Sequence, residues 1–155
     1  MDKFYVEGTL IIDGNLQPYT VEKGTVNDLD EIESLYNYLT DYLQGGINYP
    51  GWRKGLYPTR ETAQSAIADN CLFLLKVEND IAGTVILKHK PEDAYAKVKW
   101  SIEADYKDIF VVYTLAVHPK YMRYGVGSKL MKFIKDYGKV QDMKAIRLDV
   151  VATNA

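Results

Sequence analysis

The sequence is poor in the residues that build covalent or metal-held scaffolds. It contains a single cysteine, Cys71, so no disulfide can form within the chain and a reducing compartment is expected. The neighbours of that thiol, "NCLFLLKV", predict a buried strand residue rather than a nucleophile. The two histidines, His89 and His118, have no partners at ligand spacing, so no metal site is expected. No apolar run approaches the roughly 20 residues that span a bilayer. The opening "MDKFYVEGTLIIDG" does not show a signal peptide's long apolar block and small-residue cleavage site, so a cytoplasmic location and no membrane partner are expected. An excess of one charge is also missing. The formal net charge is −2, which argues against a dedicated nucleic-acid partner.

What is there fits one folded domain. The chain has 155 residues, of which 47% are hydrophobic and 26% charged, enough for a single core and too ordinary for a disordered or fibrous class. "KFYVEGTLIIDGNLQPYTVEKG" alternates weakly around Asp13-Gly14, a two-residue turn signal, and predicts one or two strands. Leu29, Ile32, Leu35, Leu39 and Leu43 recur at helical steps, which predicts a helix capped by Asn27 and stopped at Gly45-Gly46. A loop, "INYPGWRKGLYP", precedes a short helix capped by Thr59. "CLFLLKVENDIAGTVILKH" reads as a hairpin turning around Asn79-Asp80. After a long polar connection, with the character of a flap, "IFVVYTLAV" is an apolar strand ended by Pro119. A helix from 125 to about 137, with Leu130, Met131, Phe133, Ile134 and Tyr137 inward, and a strand "AIRLDVV" complete the order. The result is a mixed α/β fold: an antiparallel hairpin and a parallel strand–helix–strand crossover in one sheet.

The chemistry-bearing stretch is "AVHPKYMRYGVGSKLMKFI", residues 116 to 134, with Gly125 and Gly127 where loop becomes helix. A helix N-terminus carries unpaired amide N–H groups and about half a positive charge. A phosphate there gains about 0.3–2 kcal/mol of dipole energy besides its hydrogen bonds. Glycine leaves room for close approach, and Lys120, Arg123 and Lys129 lie nearby. The alternative is an ordinary loop whose glycines only permit a tight turn.

In context the segment resembles the acyl-CoA signature of the Gcn5-related N-acetyltransferase (GNAT) superfamily. There a strand ending in Leu-x-Val-x-Pro leads to Q/R-x-x-G-x-G/A; here the chain reads "TLAVHPKYMRYGVGSKLM", then "AIRLDV", then "ATNA", like the start of the family's N-x-x-A-x-x-x-Y segment. The early helix and the hairpin fall in the family's order, so the resemblance covers about residues 19 to 155. Met122 departs from the usual glutamine or arginine, and Arg123 stands where glycine is frequent. Backbone amides survive both changes, and Arg123 offers a substitute cation.

The resemblance implies one domain over 1–155 with a twisted, mostly antiparallel sheet, a splayed parallel strand pair and flanking helices. It implies acetyl-CoA as co-substrate and an amine of a small molecule or peptide as acceptor, attacked directly in a ternary complex. The backbones of Leu115, Ala116 and Val117 would hold the pantetheine arm, with Leu115 near the thioester. Amides of Arg123, Tyr124, Gly125, Val126, Gly127 and Ser128 would hold the pyrophosphate, and Asn154 would contact CoA. The general base is left open: Glu103, Asp105 and Asp108 precede the key strand but also read as solvated carboxylates. Tyr113 is expected on one strand face with Leu115 and Val117, lining the cleft or packing in the core. Tyr49 and Trp52 sit where the family often builds its acceptor pocket, or simply pin a surface loop.

The family's thiolate-protonating tyrosine and two further strands would follow residue 155. A longer natural chain, or a homodimer whose partner completes the sheet edge, is therefore expected. A catalytically incomplete acyl-CoA-binding domain is the alternative reading. A dinucleotide-binding oxidoreductase is rejected, because the glycine loop lies late and Leu130 fills the third glycine's position.

Overall fold

The computed structural model describes residues 6–45, 57–89 and 108–148. Its elements are β1 (Val6–Ile12), β2 (Asn15–Lys23), α1 (Leu29–Gln44), α2 (Arg60–Ala68), β3 (Leu72–Val77), β4 (Asp80–Lys88), β5 (Ile109–Val117), α3 (Val126–Val140) and β6 (Ala145–Leu148). The six strands lie side by side in sequence order. All neighbours pair antiparallel except β5 and β6, which run parallel on either side of α3. This is the expected mixed α/β architecture, with the first segment forming two strands.

Local chemistry explains the element ends. Asp13 and Gly14 both have positive φ, 51° and 82°, as a two-residue hairpin turn requires. The second hairpin turns at Glu78 and Asn79, φ 51° and 76°, one residue earlier than expected, because Asp80 already pairs with Val77. The cap before α1 also differs from the expectation at Asn27. Thr25 opens a single 3-10 turn, Val26–Asp28, and its amide donates to Asp28 Oδ2 at 2.8 Å. Asp30 and Glu31 then complement the positive end of α1. Thr59 caps α2 as expected, its amide donating to Thr62 Oγ1 at 3.0 Å.

Side chains alternate along β3, so the sheet carries a core on each face. Phe73, Leu75 and Val77 meet α3 through Leu130, Phe133 and Ile134, while Leu72 and Leu74 meet α1 and α2 through Ile32, Leu35, Leu39 and Ala63. A strand covered on both sides reads as an unbroken apolar run, which is why "LFLLKV" does not alternate. Cys71 stands just before β3 and is half-buried rather than buried; its amide donates to Ala66 O at 2.9 Å, and burial raises its thiol pKa. No helix among the described residues is long and apolar enough to cross a membrane.

Gly83 sets how closely α3 approaches β4. A Cβ there would lie 2.9 Å from Val126 Cγ1 and 3.0 Å from Leu130 Cδ1. Gly83→Ala is therefore expected to push the helix outward and cost about 1–3 kcal/mol in urea unfolding.

Candidate functional site

The site begins with an irregularity in β5. Thr84 pairs with Ala116, but Ile86 pairs with Tyr113, so Thr114 and Leu115 together face Val85. This is a β-bulge, and Thr114 sits in it at φ 47°, the left-handed region that a β-branched residue rarely enters. One extra residue reverses the alternation beyond it. Tyr113 consequently packs in the layer of α1 and α2, whereas Leu115 and Val117 pack in the layer of α3. The expected common face for Tyr113, Leu115 and Val117 is thus overturned. Tyr113 instead lies under the Lys88 ammonium, 5.2 Å from its ring centre.

Backbone direction follows from the same ladder. His118 N donates to Ala82 O at 2.8 Å, and Ala116 pairs with Thr84, so the peptide groups of these residues point to β4. Those of Val117, and of Leu115 beyond the bulge, point to the opposite edge. β6 pairs with that edge only along Ile109–Val112. Among the described residues no strand covers it from Tyr113 to Val117.

That edge leads directly into the start of α3. A 3-10 turn, Pro119–Tyr121, ends β5; His118 Nδ1 accepts from Lys120 N at 3.0 Å, and Tyr121 Oη donates to Asp80 Oδ2 at 3.0 Å. Burial and the Lys120 charge lower the His118 pKa, while burial and the Asp80 bond push Tyr121 up to about 12. Arg123 and Gly125 then take positive φ, 76° and 81°, and Gly125 is the N-cap of α3 without a capping side chain. The helical ladder starts with Lys129 N donating to Gly125 O at 3.0 Å. The amides of Gly125, Val126, Gly127 and Ser128 therefore have no partner within the helix.

The two glycines differ. Nothing lies within 4 Å of a Cβ on Gly125, so its φ of 81° is what favours glycine there. At Gly127 φ is not positive and the nearest atom, Val117 Cγ2, is 3.9 Å away, so the fold alone has no use for a glycine. Tyr124 Oη donates to Asp13 Oδ1 at 2.7 Å, tying this loop to the first hairpin turn.

Comparisons with known proteins give the family and the fold. The family model described as "Acetyltransferase (GNAT) family" matches residues 32–155. The chain belongs to the GNAT family. No match was found among the curated proteins. Solved structures share the GNAT fold at low identity. A GNAT-family acetyltransferase from Listeria monocytogenes is 16% identical, with TM-score 0.69 over 95% of this chain and 84% of that one. The PaiA N-acetyltransferase from Thermoplasma acidophilum, solved with coenzyme A, is 16% identical, with TM-score 0.63 over 88% and 82%. The ribosomal-protein-S18-alanine N-acetyltransferase from Escherichia coli is 18% identical, with TM-score 0.61 over 88% and 70%.

In this GNAT chain, the fold brings Leu115, Ala116, Val117 and the loop residues Arg123 to Ser128 together along one strand edge and one helix start. Glu103, Asp105, Tyr49, Trp52 and Asn154 lie outside the described residues. Asp108 is described, and its Oδ2 lies 3.7 Å from Lys144 Nζ, in an ion pair at the other end of β5. Sequence reasoning missed Thr114 and its bulge, because Thr114 and Leu115 both suit a regular strand. It also missed the Asp13–Tyr124 contact, which joins residues 111 positions apart.

The glycine contrast is testable without ligand. Gly127→Ala is expected to leave urea stability unchanged or raise it by up to about 1 kcal/mol. Gly125→Ala should lose roughly 1–2 kcal/mol through its left-handed φ.

Proposed function

We propose that this chain transfers the acetyl group of acetyl-CoA to an amine of a small molecule or peptide, by direct attack in a ternary complex. The observation that carries this reading is the edge of β5, uncovered among the described residues, running into a helix start without a capping side chain. An extended pantetheine arm would pair with the Leu115 and Val117 peptide groups as an added strand does. The pyrophosphate would then reach the amides of Gly125 to Ser128, where dipole and N–H groups act together. Gly127, superfluous to the fold, is accounted for by close approach of phosphate oxygens. Arg123, exposed beside this loop, supplies a cation where Met122 cannot.

Acetyl-CoA supplies the activated acyl group. An alkyl ammonium with a pKa near 10.4 must lose its proton, at a cost of about 4–5 kcal/mol at pH 7. The neutral amine attacks the thioester carbonyl carbon, an N–C bond forms, the C–S bond breaks, and the thiolate leaves. The thiolate takes up the proton that the new amide nitrogen gives up, so the products are the acetamide and free CoA thiol. Negative charge on the carbonyl oxygen is stabilised by the strand amide next to the bulge, that of Leu115. Tyr113, turned to the opposite face, serves the wall of the α1 and α2 layer. The structures of relatives named for amine acetylation support the reaction class.

Calorimetry with CoA, followed by thiol release from acetyl-CoA with a panel of primary amines, tests the reading. Wild-type chain is expected to bind CoA, and Gly125→Glu to lose at least about tenfold in affinity, or 1.4 kcal/mol, while staying folded. Equal binding by the variant, or none by the wild type, contradicts the loop assignment. Binding without thiol release on any amine contradicts the transferase and leaves a domain that only holds acyl-CoA.

A further inference from the structure

The bulge in β5 rests on a residue that does not favour it. Thr114 is β-branched, held at φ 47°, and only 7% exposed. Left alone, such a residue relaxes toward extended backbone, and the strand regains simple alternation. One contact opposes this: the Thr114 hydroxyl is hydrogen-bonded to the phenol of Tyr57. Tyr57 comes from a distant part of the chain, two residues before the Thr59 cap of α2. Tyr57 makes an isolated β-bridge of its own, and it is 40% exposed rather than a core-filling ring.

We propose that Tyr57 is a positioning residue: its phenol holds Thr114 in the left-handed conformation that bulges β5, and so aims the Leu115 peptide group at the thioester carbonyl. This rests on the acetyl-transfer reading for the part that concerns the thioester. The chemical logic is local. Thr114 and Leu115 share one peptide bond, so the Thr114 conformation sets the direction of the Leu115 N–H. A half-buried hydroxyl pair against the strand is directional, and removing the phenol oxygen deletes the bond while keeping the ring. Tyr57 touches neither carrier nor acceptor in this account; it acts through Thr114.

The test compares the full chain with Tyr57→Phe and with the double variant Tyr57→Phe/Thr114→Gly, by residue-resolved amide NMR and calorimetry. Without ligand, Tyr57→Phe is expected to shift the Thr114 and Leu115 amides while leaving Leu72 to Val77 and the urea midpoint unchanged. With acetyl-CoA at saturation, hydrogen-exchange protection at Leu115 should fall at least tenfold, with CoA affinity within twofold of wild type. Glycine takes positive φ unaided, so adding Thr114→Gly to Tyr57→Phe should restore most of that protection. A merely structural Tyr57 would instead lower the midpoint and move amides throughout α2, with no rescue by glycine; that outcome overturns the proposal. Unchanged Thr114 and Leu115 amides in Tyr57→Phe overturn it too. If wild-type chain fails to bind acetyl-CoA, the transferase reading falls, while the ligand-free spectra alone decide whether Tyr57 fixes the bulge.

Discussion

One inserted residue in β5 governs the rest of the site. Thr114 in its left-handed conformation places two residues opposite Val85, and everything after it is displaced by one position. Upstream, β5 is an ordinary inner strand, paired with β4 on one side and β6 on the other. Downstream, its side chains exchange layers and its outward peptide groups belong to Leu115 and Val117. Without the bulge, the apolar face that now packs on α3 would turn toward α1. The bulge thus decides both the layer in which each β5 side chain packs and the peptide groups that face the outer edge.

The helix that follows is anchored to the sheet at its start. Val126 and Leu130 lie against Gly83, so the first turn of α3 sits close to β4. The Tyr124 phenol reaches Asp13, and Tyr121 reaches Asp80, so the loop before α3 is tied to both hairpin turns of the sheet. Four amides left without helical partners are therefore carried by a loop tied to the sheet at two points, and donors held in place bind an anion with less ordering cost than mobile ones.

Much of this was legible in the sequence because it depends on near neighbours. The α1 stripe from Leu29 to Leu43 follows the helical period, Asp13-Gly14 is a local turn, and Gly125 stands at a helix boundary in the sequence as in the structure. What was illegible depends on residues far apart or on a register that no local pattern encodes. "IFVVYTLAV" gives no sign that alternation fails between Tyr113 and Ala116, since every residue there suits a strand buried on both faces. The Thr25 cap was hidden by Asn27, an equally good capping residue two positions on, and was selected by Asp28, whose carboxylate closes back on the Thr25 amide. The Tyr57–Thr114 bond joins segments that only the folded sheet brings together.

The central claim is that a diphosphate-bearing thioester lies along β5 and ends on the start of α3. A crystal structure of the chain grown with acetyl-CoA tests it most directly. Pyrophosphate oxygens are expected within hydrogen-bond distance of the amides of Gly125 to Ser128, and the pantetheine arm paired with Leu115 and Val117. Density for the carrier at any other surface, with this edge and helix start empty, would contradict it.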